Sequence, residues 1–403
     1  MAISKGVAKV VAYKKETTWG TLAGASGGKQ LRRVTADFNL NKETYESNEI
    51  RTDRQVADFR HGVRSAAGTL NGELSPNSYA DFMQSVVGKD FAAVTSVTGV
   101  SVTIAASGSL WTVTRSTGDW LTSGLKTGMA VRLSGGTLNA SNSNKNLLIV
   151  AMTSTVLTVS VLNNTTLVAE GPIASVTVAV PGKSTFVPTS GHTEDSFTIE
   201  QWFQDITQSE VYSGMRVGSM AVQLPATGLT TVSFNLMGKD RAAKGTTQYF
   251  TTPTAQGTDG IFAAVSGALV VAGQPVGLVT SADFTVERAM ENATAVGSNS
   301  VAEIFLGRIR ASGNLSVYFQ DATFRNYYDD ETPVSIILAL TTGSENTASF
   351  VSFTLPKVKL GSFSNNDGEL GLVASVSFQA LLNDVITGGL PATTIQIQDS
   401  TLV

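Results

Sequence analysis

The tetrapeptide TADF at residues 35–38 returns as SADF at 281–284, an offset of 246. Behind each copy an irregular, charged segment runs into a strand-like stretch. It is RSAAGTLNGELSPNSYADFM at 64–83 and IRASGNLSVYFQDATFRNYY at 309–328. The offset there is 245, pairing Gly68 with Gly313, Leu70 with Leu315, Leu74 with Phe319, Tyr79 with Phe324 and Phe82 with Tyr327. Alternation at Leu70 and Leu74 predicts a strand, with Tyr79, Phe82 and Met83 at helical spacing behind it. A second block, 214–240, is echoed at 357–384. Gly218 matches Gly361 at an offset of 143, whereas the VSF triplets at 232–234 and 376–378 match at 144, as do Asp240 and Asp384. Each block reads as two strands joined by a Gly-containing turn. A chain that repeats itself must build one supersecondary unit twice.

The fall in offset from 245 to 143 means that the first copy carries 102 additional residues between Met83 and Gly214. Composition locates them. Residues 91–190 hold only Asp119, Glu170, Arg115, Lys126, Arg132, Lys145 and Lys183 as charges. Their apolar runs alternate in the strand period between Gly, Asn and Ser turns, which predicts an inserted all-β module. The expected division is a first domain from 1–90 and 191–245, the module at 91–190, and a second domain at 246–403. The module needs its ends close together, as insertions at surface loops do. Because copy two lacks it, it is expected to be dispensable for the shared fold and to project outwards.

Bulk numbers restrict the function classes. A composition 42% hydrophobic with 38 Gly and 10 Pro suits a folded, strand-rich protein. A net charge of −4 leaves no broad basic surface for nucleic acid. With no Cys there are no disulfides or thiolate metal sites, which suits a reducing cytoplasm or a particle assembled there. Lys9, Lys14 and Lys15 interrupt the first apolar stretch, so no secretory signal is expected. The longest uncharged run, 260–282, is broken by Gly267, Gly273, Pro275 and Gly277 and reads as strands and turns, not as a membrane span.

One segment departs from this low charge. Between Asn41 and Arg64, Glu43, Glu46, Glu49, Asp53 and Asp58 stand against Lys42, Arg51, Arg54, Arg60 and Arg64, with His61 among them. Such balanced charge either pairs locally on a solvated loop or supplies register between subunits. The run NKETYESNEIR, the DRQ and RHG that follow it, and the DFM behind them resemble the start of the tail tube (major tail) proteins of long-tailed bacteriophages. The resemblance covers 13–90 and 196–245 and reaches 246–403 through the internal repeat. Residues 91–190 are similar to small β-modules of phage structural proteins.

The resemblance implies a mainly β fold: two tandem β-sandwich or barrel domains of the tail tube type, each with a flanking helix, plus the inserted all-β domain. It also implies a structural virion protein that polymerises into stacked rings around a tape-measure protein, with tail terminator and distal tail proteins as further partners. DNA would pass through the lumen without specific binding. No cofactor, membrane insertion or enzymatic activity is implied, and assembly would take place in the bacterial host cytoplasm. The charged segment becomes a self-assembly arm. Its counterpart in copy two is milder: Glu287, Arg288, Glu291, Glu303, Arg308 and Arg310.

Catalytic readings fail on spacing. His192 in HTED has neighbouring acids but no ligand spacing for a metal, and reads as a polar turn. AGASGGK at 23–29 lacks the first Gly of a phosphate loop and has Gln30 where Ser or Thr belongs, and PGKS at 181–184 has Thr177 at that Gly position. Trp19, Trp111, Trp120 and Trp202 are scattered, as core anchors are. The alternative class is a β-rich phage decoration protein or adhesin that binds a cell surface; it accounts for the module but not for the duplication.

Overall fold

A computed structural model of the chain describes residues 3–163, 165–367, 369, 371–385 and 387–403. Strands dominate, and the described residues form two α-helices, Ala80–Val87 and Thr323–Asp329. The repeated SADF-type motifs open two long hairpins. Thr35–Glu46 pairs with Phe59–Glu73, and Val279–Ala293 pairs with Glu303–Tyr318. Their registers coincide. Phe38 stands opposite Gly68 and Phe284 opposite Gly313, and both ladders slip by one residue at the same step, after Lys42–Arg64 and after Arg288–Ile309. Period-two alternation buries Ala36, Phe38 and Leu70, and likewise Ala282, Phe284 and Leu315, while Thr, Asn and Asp face the other way.

The glycine pair marks a close approach. A Cβ on Gly68 would lie 2.1 Å from the Asp37 carbonyl oxygen, and one on Gly313 would lie 2.1 Å from that of Asp283. The second repeated block also keeps its register, since Gly218 and Gly361 both fall in β-bulges of the ladders Gln208–Leu224 with Thr231–Gly238 and Phe350–Asn365 with Val373–Ala380. The VSF match needs correcting. Leu70 faces Phe234 and Leu315 faces Val376, so the true offset of these strands is 142 and the triplets are two residues out of step. A slip of two preserves the buried face, which is why the apolar pattern does not detect it.

These strands form one continuous sheet. Its order is Thr35–Glu46, Phe59–Glu73, Thr231–Gly238, Gln208–Leu224, then Val279–Ala293, Glu303–Tyr318, Val373–Ala380 and Phe350–Asn365. The last strand of copy one joins the first strand of copy two, from Ser219–Glu287 to Leu224–Ala282. Each copy adds a second layer, because one long strand runs on past this order and pairs with a further set of strands. Gln208–Leu224 there meets Phe197–Phe203, which meets Lys9–Lys15. Phe350–Asn365 meets Val334–Thr341, which meets Gly267–Val271. One apolar core, including Phe38, Phe82, Phe234, Phe284 and Phe353, fills the space between the layers. The helix Ala80–Val87 buries Phe82 and Met83 in it, whereas Phe324 and Tyr327 on the shorter helix are only partly buried.

Residues 97–179 supply the strands of a closed six-stranded barrel with its own core around Trp120, Val131, Leu147 and Val176. Its stem is narrow: the Thr193 N–H donates to the Gly88 carbonyl at 2.8 Å. The barrel does not stand free, however. Leu110, Ala130, Leu148, Val150 and Leu162 pack against Val270, Ile337, Ala339 and Phe350 of the second copy. The Gln398 side chain bridges both backbone groups of Ala130, accepting from its N–H at 2.8 Å and donating to its carbonyl at 3.1 Å. Copy one presents Glu200 where the repeat has Ile337. That buried carboxylate accepts from Ser209 Oγ and from the Tyr249 and Phe250 N–H groups at 2.6–2.9 Å. One outer layer is therefore covered by a linker held by polar contacts, and the other by the barrel.

Candidate functional site

The charged arm of copy one is the far end of the first hairpin and the loop beyond it. Glu43, Glu46, Glu49, Arg51, Asp53, Arg54, Asp58, Arg60 and His61 are all exposed there. Part of the charge pairs within the arm: Arg51 holds Asp53 at 2.7 Å, and Arg60 holds Asp58 at 2.8 Å. The two guanidinium groups keep these carboxyls below the usual range. Exposed pairs of this kind contribute little to stability. Arg64 is different. It reaches Asp240 at 2.8 Å, and its N–H donates to the Asn299 carbonyl at 2.9 Å, so the tip of the second hairpin rests on the first.

Sequence reasoning missed the apolar half of the arm. Tyr45, Ile50, Val56 and Phe59 are each more than half exposed, Ile50 fully. Large apolar side chains thus stand in solvent among the charges of this extended hairpin. Their signal in the sequence is four large apolar residues inside a segment otherwise dense in charge.

The second arm is dispersed by the fold. Glu287, Glu291, Arg308 and Arg310 are exposed, with Glu287 opposite Arg310. Arg288 and Glu303 instead enter a charge cluster between the two copies. Arg216 contacts Glu303 at 2.9 Å and Glu194 at 3.5 Å, and Arg288 lies 3.9 Å from Glu194. HTED is thus more than a turn, because Glu194 sits between two arginines and Asp195 pairs with Lys15 at 2.8 Å. The buried position raises the Asp195 carboxyl, against the pull of Lys15.

Two strand edges and one face of the long sheet remain. Among the described residues Thr35–Glu46 pairs only with Phe59–Glu73, and beyond Val358 the strand Phe350–Asn365 pairs only with Val373–Ala380. On the first edge the carbonyls of Ala36 and Phe38 meet side chains, Lys9 Nζ at 2.6 Å and Gln201 Nε2 at 2.8 Å. Their counterparts Ala282 and Phe284 meet a strand. The face of the sheet away from the core is a row of Ser, Thr and Asn in which Asp37 and Asp283 recur as equivalents. Thr69 donates to the first, and Asn314 donates to the second at 3.0 Å. Among the described residues no group of three or more His, Asp or Glu is placed to hold a metal ion, and no helix is long and apolar enough to cross a membrane.

A duplicated β-unit with two open strand edges and a polar sheet face offers surfaces on which copies could associate. A family model described as phage tail tube protein matches residues 6–380. The chain belongs to the phage tail tube protein family. No curated protein matches it. Membership makes the chain a structural component of the phage virion that assembles with copies of itself and other tail proteins into the tail tube. A tail tube subunit must repeat the same contact from copy to copy.

Proposed function

We propose that three chains close one ring of six homologous units, and that rings stack around a tape-measure protein to form the conduit for DNA. The domain division 1–90 with 191–245, 91–190 and 246–403 belongs to this reading. The observation that carries it is the sheet pairing inside the chain, where the last strand of copy one joins the first strand of copy two. Each chain keeps one first-strand edge and one last-strand edge, so the same head-to-tail contact can be made with the next chain until the ring closes. Carrying the internal register across by the repeat sets Ser362 opposite Asn41, Ser364 opposite Asn39 and Asn365 opposite Phe38.

The polar sheet face would line the channel. Outside 91–190 the chain carries 23 basic and 30 acidic residues. A bore of Ser, Thr, Asn and Asp offers phosphates few of the Lys and Arg contacts that dominate nucleic-acid affinity, so DNA slides. The tail terminator and distal tail proteins would meet the two ends of the stack.

Oxidation of the Asn39→Cys, Ser364→Cys double variant is expected to link assembled chains in threes, since directly opposed strand residues lie within disulfide reach. Electron microscopy of the same tubes should give three chains per ring, and assembled tubes should bind DNA weakly at every salt concentration. Six chains per ring, or the two copies of one chain in different rings, would overturn the arrangement.

A further inference from the structure

Inside the chain, the junction between the copies holds four alternating charges: Arg216 and Glu194 from the first copy, Arg288 and Glu303 from the second. The repeat supplies a counterpart for each. Phe197 faces Met215 and Val334 faces Val358, so Arg216 corresponds to Lys359. Glu194 and Glu331 each lie three residues before the matching strand. The coincident hairpin registers carry Arg288 onto Lys42 and Glu303 onto Asp58. All four positions keep their sign.

Half of this second cluster is already assembled, with Lys359 on Glu331 at 3.0 Å. Burial separates the two sets. The side chains of Arg216 and Arg288 are 6% and 5% exposed, whereas those of Lys359 and Glu331 are 43% and 79% exposed. Lys42 and Asp58 are exposed on the opposite edge of the chain.

We propose that Lys359 and Glu331 of one chain meet Lys42 and Asp58 of a second copy, remaking between chains the charge cluster seen within one. The inference rests on the strand-paired ring and specifies what sets its register. The rows that would face each other on the polar side are Ser362, Ser364, Asn39 and Asn41, which fit equally well after a slip of two residues. Alternating charge at the end of the ladder does not tolerate that slip, because like charges would then approach. Asp58 exchanges its partner on assembly, leaving the exposed Arg60 for Lys359.

The test uses the full-length chain with Asp58→Lys, Lys359→Glu and both together. Each single variant should raise the protein concentration needed for tube formation by at least about tenfold, because it sets like charges opposite each other, and the double variant should recover most of that loss, short of wild type because the local pairs with Glu331 and Arg60 stay broken. Single variants that assemble like wild type, or a double variant no better than the worse single, would overturn the lock. Cross-linking through Asn39→Cys and Ser364→Cys reads the ring separately. Cross-links with inert charge reversals sink the lock alone, and tubes that never cross-link sink the strand-paired ring and the lock together.

Discussion

Replacing residues 91–190 with a short Gly/Ser linker is expected to yield an insoluble or unfolded chain, not a thinner tube. Because copy two lacks the module, the sequence predicts that it is dispensable. The structure places its removal in a different light, since the barrel covers Val270, Ile337, Ala339 and Phe350, all at most 1% exposed. Fully burying a Val, Ile or Phe side chain is worth roughly 1.5–3 kcal/mol each. Uncovering three of them forfeits on the order of 5 kcal/mol, a large part of the ~5–15 kcal/mol that holds a typical domain together. The Gln398 side chain and the Ala348 carbonyl also lose their partners, Ala130 and Asn146. Soluble yield and a urea melt measure the effect. Adding Ile337→Thr and Phe350→Ser to the deletion should recover part of the solubility. A deletion that stays soluble and keeps the wild-type urea midpoint would show that the covered face tolerates water.

Gly68→Ala and Gly313→Ala are expected to destabilise the chain alike, each by about 3 kcal/mol, the upper end for overpacking. What a new methyl group meets at each site is a backbone carbonyl oxygen at 2.1 Å, which cannot rotate away as a flexible side chain would. An aromatic atom closes the other side, Phe38 Cδ1 at 2.4 Å or Phe378 Cζ at 2.6 Å. Gly245→Ala is the control: nothing lies within 4 Å of its Cβ position, and its φ is not in the left-handed region. That change should be neutral or slightly stabilising, by about 0.5 kcal/mol. Equal urea midpoints for the Gly68 and Gly245 variants would contradict the close approach.

The duplication was legible because it involves residues whose identity is forced. Gly68 and Gly313 recur since no other side chain fits beside the neighbouring strand, and Asp37 and Asp283 recur on the same polar row. The barrel was legible from its scarcity of charge, and its strands from alternation. What sequence could not reveal is which surface covers which. Ile337 and Ala339 alternate as any half-buried strand does, and nothing near them in the chain says that a barrel inserted some two hundred residues earlier will seat there. The charge cluster escaped for the same reason, since residues 194, 216, 288 and 303 meet only after the two copies join. Local pairing in the arm, by contrast, was there to be read, because Arg51 and Asp53, like Asp58 and Arg60, are two residues apart. Ile50, just before Arg51, and Phe59, between Asp58 and Arg60, are exposed beside these charges, which charge content alone does not signal.

The seat of the barrel has a mechanical consequence. The barrel is threaded into the first copy yet bonded to the second, so it acts as a strut across the joint between them. Pulling the two halves apart would have to break a strand ladder, a set of buried arginine contacts and an apolar footing at once. Each chain is thereby a stiff segment that resists bending at its own middle. In the proposed ring, bending would then fall on the seams between one molecule and the next and not on the joint inside each chain.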